Sequence, residues 1–134
     1  MIELVPIKEP LKVWDLAKKH ITLCLDRFKD DGNLEDIFKD LLSGDRQLWM
    51  VLKNGEAVAS VLTMINEYHG KRYGVLTHAG GHDAQDWFHI VNPIGEYFKA
   101  EGCHKFIIHG RKGWAKFLTD FRSDKVIYER SLDE

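Results

Sequence analysis

Between His78 and Asp86 the sequence reads His-Ala-Gly-Gly-His-Asp-Ala-Gln-Asp, at the point where an apolar run, Tyr73 to Thr77, gives way to a helix-period pattern beginning at Trp87. Paired glycines between a strand and a helix start let backbone N–H groups face an anion, because the first helical turn leaves donors unpaired and carries partial positive charge. Phosphate binding is the chemistry such a corner would perform. Asp83 and Asp86 oppose it. Each carboxylate gains roughly 0.3 to 1 kcal/mol from the helix dipole, and Asp83 can also cap the free N–H groups. A phosphate would have to displace them and would meet like charges costing about 1 kcal/mol or more each. Arg72, Arg111 or Lys112 would have to reach across to compensate.

Seven histidines raise the question of a metal. His78 and His82 stand four apart, but they flank a glycine turn instead of sharing a helix face, and no Cys or Glu follows at matching spacing, so no metal site is assigned. His109, at the end of an apolar run, is a candidate for base work, since histidine as a residue type titrates near neutrality; the competing reading is a satisfied structural histidine. Gly110-Arg111-Lys112-Gly113-Trp114 places a small basic spot next to it, fit for a phosphate or an acidic partner. Trp14, Trp49 and Trp87 fall on apolar faces and read as core.

The elements that must position these residues follow from periodicity. Ile2 to Ile7 is a short apolar run, bounded by Pro6 and Pro10, and reads as a peripheral strand. Val13, Leu16, Ala17, Ile21, Cys24, Leu25 and Phe28 follow helical spacing from Lys12 to Phe28. A second helix, capped by Asn33 with Asp36 at its third position, carries Leu34, Ile37, Phe38, Leu41 and Leu42 and ends near Ser43-Gly44. The period then changes to that of strands: Leu48 to Leu52, a tight turn at Asn54-Gly55, Ala57 to Ile65, a second turn at His69-Gly70, and Tyr73 to Thr77. These three runs predict an antiparallel meander. From Trp87 to Glu101 a third helix is expected, ended by Gly102, with Pro93 either kinking it, the favoured reading, or making it shorter than its apolar period. Lys105 to His109 reads as a strand reached by a right-handed crossover, hence parallel to its neighbour. Trp114, Phe117, Leu118 and Phe121 predict a fourth helix, and Lys125 to Arg130 a last strand.

At 134 residues the chain suits one domain, long enough to bury about two-thirds of its unfolded surface. A net charge of −2 and a pI near 6.4 supply no broad basic field, so neither nucleic acid nor an anionic membrane is an expected partner. No run approaches the roughly 20 apolar residues of a membrane span. Residues Met1 to Pro10 hold no secretory core, so a cytoplasmic setting with Cys24 and Cys103 as reduced thiols is expected.

The order β-α-α-β-β-β-α-β-α-β, with a meander feeding a corner and a helix crossing to a parallel strand, resembles the GNAT superfamily of N-acetyltransferases over nearly the whole chain. Gly80-Gly81 to Trp87, Glu101-Gly102-Cys103 and Gly110 to Ala115 resemble more narrowly the small GNAT-like proteins of phages and prophages. The resemblance implies an α/β (α+β) fold with a central mixed sheet, two helices on either side, and acetyl-CoA wedged between the fourth and fifth strands. It implies cofactor contacts from His78, Ala79, Gly80, Gly81, Arg111 and Lys112, and an amine substrate whose proton goes to Glu67 or His109. The chain departs from the family where a Q/R-x-x-G-x-G/A corner is usual. It departs again where aligning on Ala115 puts Lys112 at a usual asparagine and Thr119 at the tyrosine that protonates the leaving thiolate. A threonine hydroxyl is a poor acid. Tyr128 could replace it, although an inward aromatic on a half-buried strand is more often core. Two functions are therefore expected: an N-acetyltransferase, or a non-catalytic phage protein that uses the scaffold to bind phage structural proteins.

Overall fold

A computed structural model describes residues 2–27, 32–82, 87, 91–110, 112–123, 125 and 127–132. Strand β1 (Ile2–Ile7) leads into helices α1 (Pro10–Arg27) and α2 (Leu34–Ser43). The meander β2 (Gln47–Lys53), β3 (Glu56–Tyr68) and β4 (Lys71–Gly81) follows, then α3 (Asn92–Ala100), β5 (Lys105–Ile108) and a 3₁₀ turn at Lys112–Lys116. One sheet holds the five strands in chain order. β1 to β4 are antiparallel neighbours and β5 joins β4 in parallel, so the sheet is mixed, as expected.

Local chemistry explains the joints. The Asn33 side chain accepts the Asp36 N–H at 2.9 Å and so satisfies a donor that the first turn of α2 leaves free. Both hairpin turns have two residues at positive φ, Asn54 and Gly55 at 53° and 86°, His69 and Gly70 at 53° and 77°. That pairing twists with the strands, which is why short hairpins select it.

Alternation along the strands divides the core in two. Leu48, Met50 and Leu62 face Ala17 and Ile21 of α1 and Ile37 and Leu41 of α2. Trp49, Val51, Val61 and Leu76 face Ile94 and Phe98 of α3 together with Trp87 and Trp114. Each fully buried large apolar side chain contributes roughly 1.5 to 3 kcal/mol, so both faces hold the sheet.

Four elements differ from their sequence expectation. β4 does not stop at Thr77 but runs to Gly81, so the glycine pair lies in a strand. α3 is not kinked at Pro93; it starts at Asn92, where the missing proline N–H leaves no helical bond unmade. The fourth helix is a 3₁₀ turn continued by i→i+3 bonds, Phe117 to Trp114, Leu118 to Ala115 and Phe121 to Leu118. The last strand is absent among the described residues of 125–130, and Tyr128, 90% exposed, is not core. Strand propensity measures fit to a half-buried pleated surface, and Ile127 and Tyr128 are exposed.

Candidate functional site

The site is where β4 outruns β5. The parallel register pairs Tyr73 with Lys105 through Leu76 with Ile108, and a further bond runs from the His109 N–H to the Leu76 carbonyl at 3.0 Å. Beyond it β4 continues through Thr77, His78, Ala79, Gly80 and Gly81 with no strand along that edge among the described residues. On the other side, Thr63 pairs with Leu76 and Leu62 with His78, so Thr77 has no residue opposite. That is a β-bulge in β4, a device that re-aims backbone and side chains. The regular ladder is thus lost on both sides of one residue. An unpaired strand edge offers N–H and C=O groups to whatever lies along it.

Polar side chains hold this point. Arg46 Nη1 donates to Thr77 Oγ1 at 2.8 Å and its Nε donates to Asp40 Oδ2 at 3.2 Å. His78, 3% exposed, brings Nδ1 to 2.8 Å from Thr77 Oγ1. None of Arg46, Asp40 or Thr77 stood out in the sequence. The only signal was a charged pair six residues apart across the end of a helix, which says nothing of a strand 31 residues further on.

The glycine pair has a packing reason. A Cβ on Gly80 would run into the His20 carbonyl oxygen of α1 and touch Cys24. Gly81, at φ 136°, would press a Cβ into the Val58 carbonyl and Ala59 of β3. Gly80 therefore lets α1 lie flush on the sheet, and Gly81 lets β4 lie close against β3. Asp83 and Asp86, which were to oppose a phosphate, lie outside the described residues, as does Arg111; the Lys112 backbone is in the 3₁₀ turn. Trp87 closes the corner, donating from Nε1 to the His82 carbonyl at 3.0 Å. Trp114 is buried, with its ring over Gly110.

Of the residues weighed for proton transfer, the structure brings only His109 to the split. Glu67 pairs with Arg72 across β3 and β4, at the other end of β4, and its side chain is 75% exposed. Tyr128 lies in the exposed segment after the 3₁₀ turn, and Thr119 is also exposed. Among the described residues no three His, Cys, Asp or Glu side chains gather as metal ligands would. Neither Cys24 nor Cys103 is in a disulfide, and burial pushes the Cys103 thiol up despite Arg72 beside it, which favours its protonated form.

Next to the glycine pair, His20 Nδ1 lies 2.8 Å from Ser60 Oγ, both buried. Burial first, and the neighbouring His82 second, hold this imidazole below the ordinary histidine value of 6.5. The native state thus keeps His20 neutral at pH values where the unfolded chain protonates it. As pH falls below about 6.5 toward the lowered native value, stability is lost at up to about 1.4 kcal/mol per unit. Urea titrations of wild type between pH 7 and 5 should show this slope, and His20→Gln should flatten it.

Solved structures share this architecture. Glucosamine-6-phosphate N-acetyltransferase from Arabidopsis thaliana matches with a TM-score of 0.69 over 99% of this chain and 99% of that chain, at 14% identity. An acetyltransferase predicted for Clostridium acetobutylicum and solved with acetyl-CoA matches at 0.67, over 98% and 97%, at 13% identity. Ribosomal-protein-alanine N-acetyltransferase from Brucella melitensis biovar Abortus 2308 matches at 0.63, over 99% and 100%, at 12%. The fold is that of the GNAT acetyltransferases. No family model matches the sequence, and no curated protein matches it either. What the GNAT fold carries over is the scaffold, since chemistry belongs to sites and not to folds.

Proposed function

We propose that the protein is an N-acetyltransferase that takes its acyl group from acetyl-CoA and hands it to an amine. The observation that carries this reading is the parting of β4 from β5 after Leu76, with a bulge at Thr77 on the same strand. The edge from Thr77 to Gly81, along which no strand runs among the described residues, suits the amide-bearing arm of coenzyme A, because amides pair with a strand edge as another strand would. Acetyl-CoA supplies the activated acyl group, a thioester. N–H groups of the edge are the donors available to a carbonyl oxygen that gains negative charge beside it. His109, which follows β5 at the same point, takes the proton lost by the amine, directly or through water, as the new C–N amide bond replaces the C–S bond. Arg111 and Lys112, next in sequence, are the cations proposed for the phosphates.

The departing sulfur leaves as a thiolate, which neutral water protonates. A positioned acid adds typically about 10²- to 10⁴-fold, and without one the transfer is slow but not forbidden. Thiol release from acetyl-CoA should be measured against a panel of small amines and peptide N-termini. Amine-dependent release, reduced about tenfold or more by His109→Gln, is expected; no release with any amine would remove the reading.

A second reading keeps the scaffold for protein contacts in a phage particle or its assembly. It is favoured by one specific feature: the residues that would protonate the thiolate, Thr119 and Tyr128, are both exposed. Co-sedimentation with virions and no transfer would support it.

A further inference from the structure

At Thr77 the strand that carries the proposed site loses its β3 partner to the bulge and its β5 partner to the split. An irregularity that stands outside the regular register on both sides is fixed further by side chains. Two bonds from one hydroxyl do so. Thr77 Oγ1 reaches the Leu62 carbonyl across the bulge at 3.4 Å and lies 2.8 Å from His78 Nδ1. Arg46 determines how that hydroxyl is used, because a guanidinium only donates: its Nη1 occupies one lone pair of Oγ1, which leaves the hydroxyl proton for Leu62 or His78. Arg46 is itself held twice by Asp40, through Nε to the carboxylate at 3.2 Å and through its backbone N–H to the Asp40 carbonyl at 3.1 Å. Only 14% of its side chain is exposed.

The pair is only partly buried, with the Asp40 side chain 37% exposed, and partly exposed pairs contribute little net stability, so what this chain of bonds supplies is geometry. We infer that Arg46, acting through Thr77, is a positioning residue that fixes the bulge of β4 in the shape acyl transfer requires. Lysine cannot serve, since a single ammonium lacks the fork that meets Asp40 and Thr77 together. The inference rests on the N-acetyltransferase reading and adds to it residues from the other face of the sheet, at the α2–β2 joint.

The test compares Thr77→Val, which keeps the shape and removes the hydroxyl, with Thr77→Ser, which keeps the hydroxyl, and with Arg46→Met. With acetyl-CoA and an amine that wild type acetylates, Thr77→Val and Arg46→Met should lower kcat by about 10- to 100-fold, the scale of a misplaced reacting group, with KM for acetyl-CoA nearly unchanged. Thr77→Ser should stay within about threefold of wild type. In ligand-free amide spectra, which also report that each variant is folded, resonances from Thr77 to Gly81 should move in Thr77→Val and Arg46→Met but hold in Thr77→Ser. Wild-type turnover in Thr77→Val, or an equal loss in Thr77→Ser, would overturn the positioning role alone. A wild type that transfers nothing would overturn the acetyltransferase reading and this role with it.

Discussion

Gly80→Ala should destabilise the ligand-free protein by about 3 kcal/mol or more, at or beyond the upper end of what overpacking costs. The reason is that the atom in the way is the His20 carbonyl oxygen, a backbone atom of α1, and not the end of a flexible side chain. Either α1 lifts off the sheet or β4 bends. Both would disturb the buried His20–Ser60 bond and the packing of Ala17 and Ile21. Had the glycine served an anion, the same change would leave the melting temperature alone and weaken only ligand binding. A thermal melt without ligand distinguishes the two roles.

Phe98→Ala should cost about 3 to 5 kcal/mol, the range for emptying a buried aromatic site. Phe98 is fully buried under the sheet, its ring 5.2 Å from that of Phe106 on β5, and it lies where a Cβ on Gly74 of β4 would be. One side chain therefore ties α3 to both strands that part at the split. Gly74→Ala alone should also be strongly destabilising. Combined with Phe98→Ala it should cost much less than the sum of the two, because the ring that the new methyl would strike is gone, and contacting residues are where additivity fails. Urea unfolding of the four proteins of this cycle measures the coupling; strict additivity would mean that the strand and the ring do not share that space.

Much of this fold could be read from local sequence, and the parts that could not were those decided by distant partners. Asn54-Gly55 and His69-Gly70 specify hairpins through their own backbone preferences, and Asn33 with Asp36 specifies a helix start through one side chain. Gly80-Gly81 carries a local signal, a break, whose causes lie in distant partners, His20 of α1 for Gly80 and Val58 and Ala59 of β3 for Gly81, and a break alone does not tell a strand from a corner. Pro93 bounded α3 where apolar spacing alone ran back to Trp87. The bulge at Thr77 is a property of register between two strands, which no single run of residues encodes. For the same reason His109 could be placed beside the site from sequence while Arg46 could not. Glu67 was drawn toward the site by resemblance, yet the register fixes it opposite Arg72 at the far end of the sheet. Tyr128 shows the limit of alternation as a signal: Ile127 and Tyr128 have strand-forming side chains, and both are exposed.

The most direct examination is amide chemical-shift mapping of the whole chain titrated with acetyl-CoA. If the split holds the thioester arm, shifts should concentrate along Thr77 to Gly81 and at His109, saturate together with one dissociation constant, and leave the Glu67–Arg72 end of the sheet unmoved. An unchanged spectrum at millimolar acetyl-CoA, or shifts confined to surfaces away from the edge of β4, would contradict the assignment.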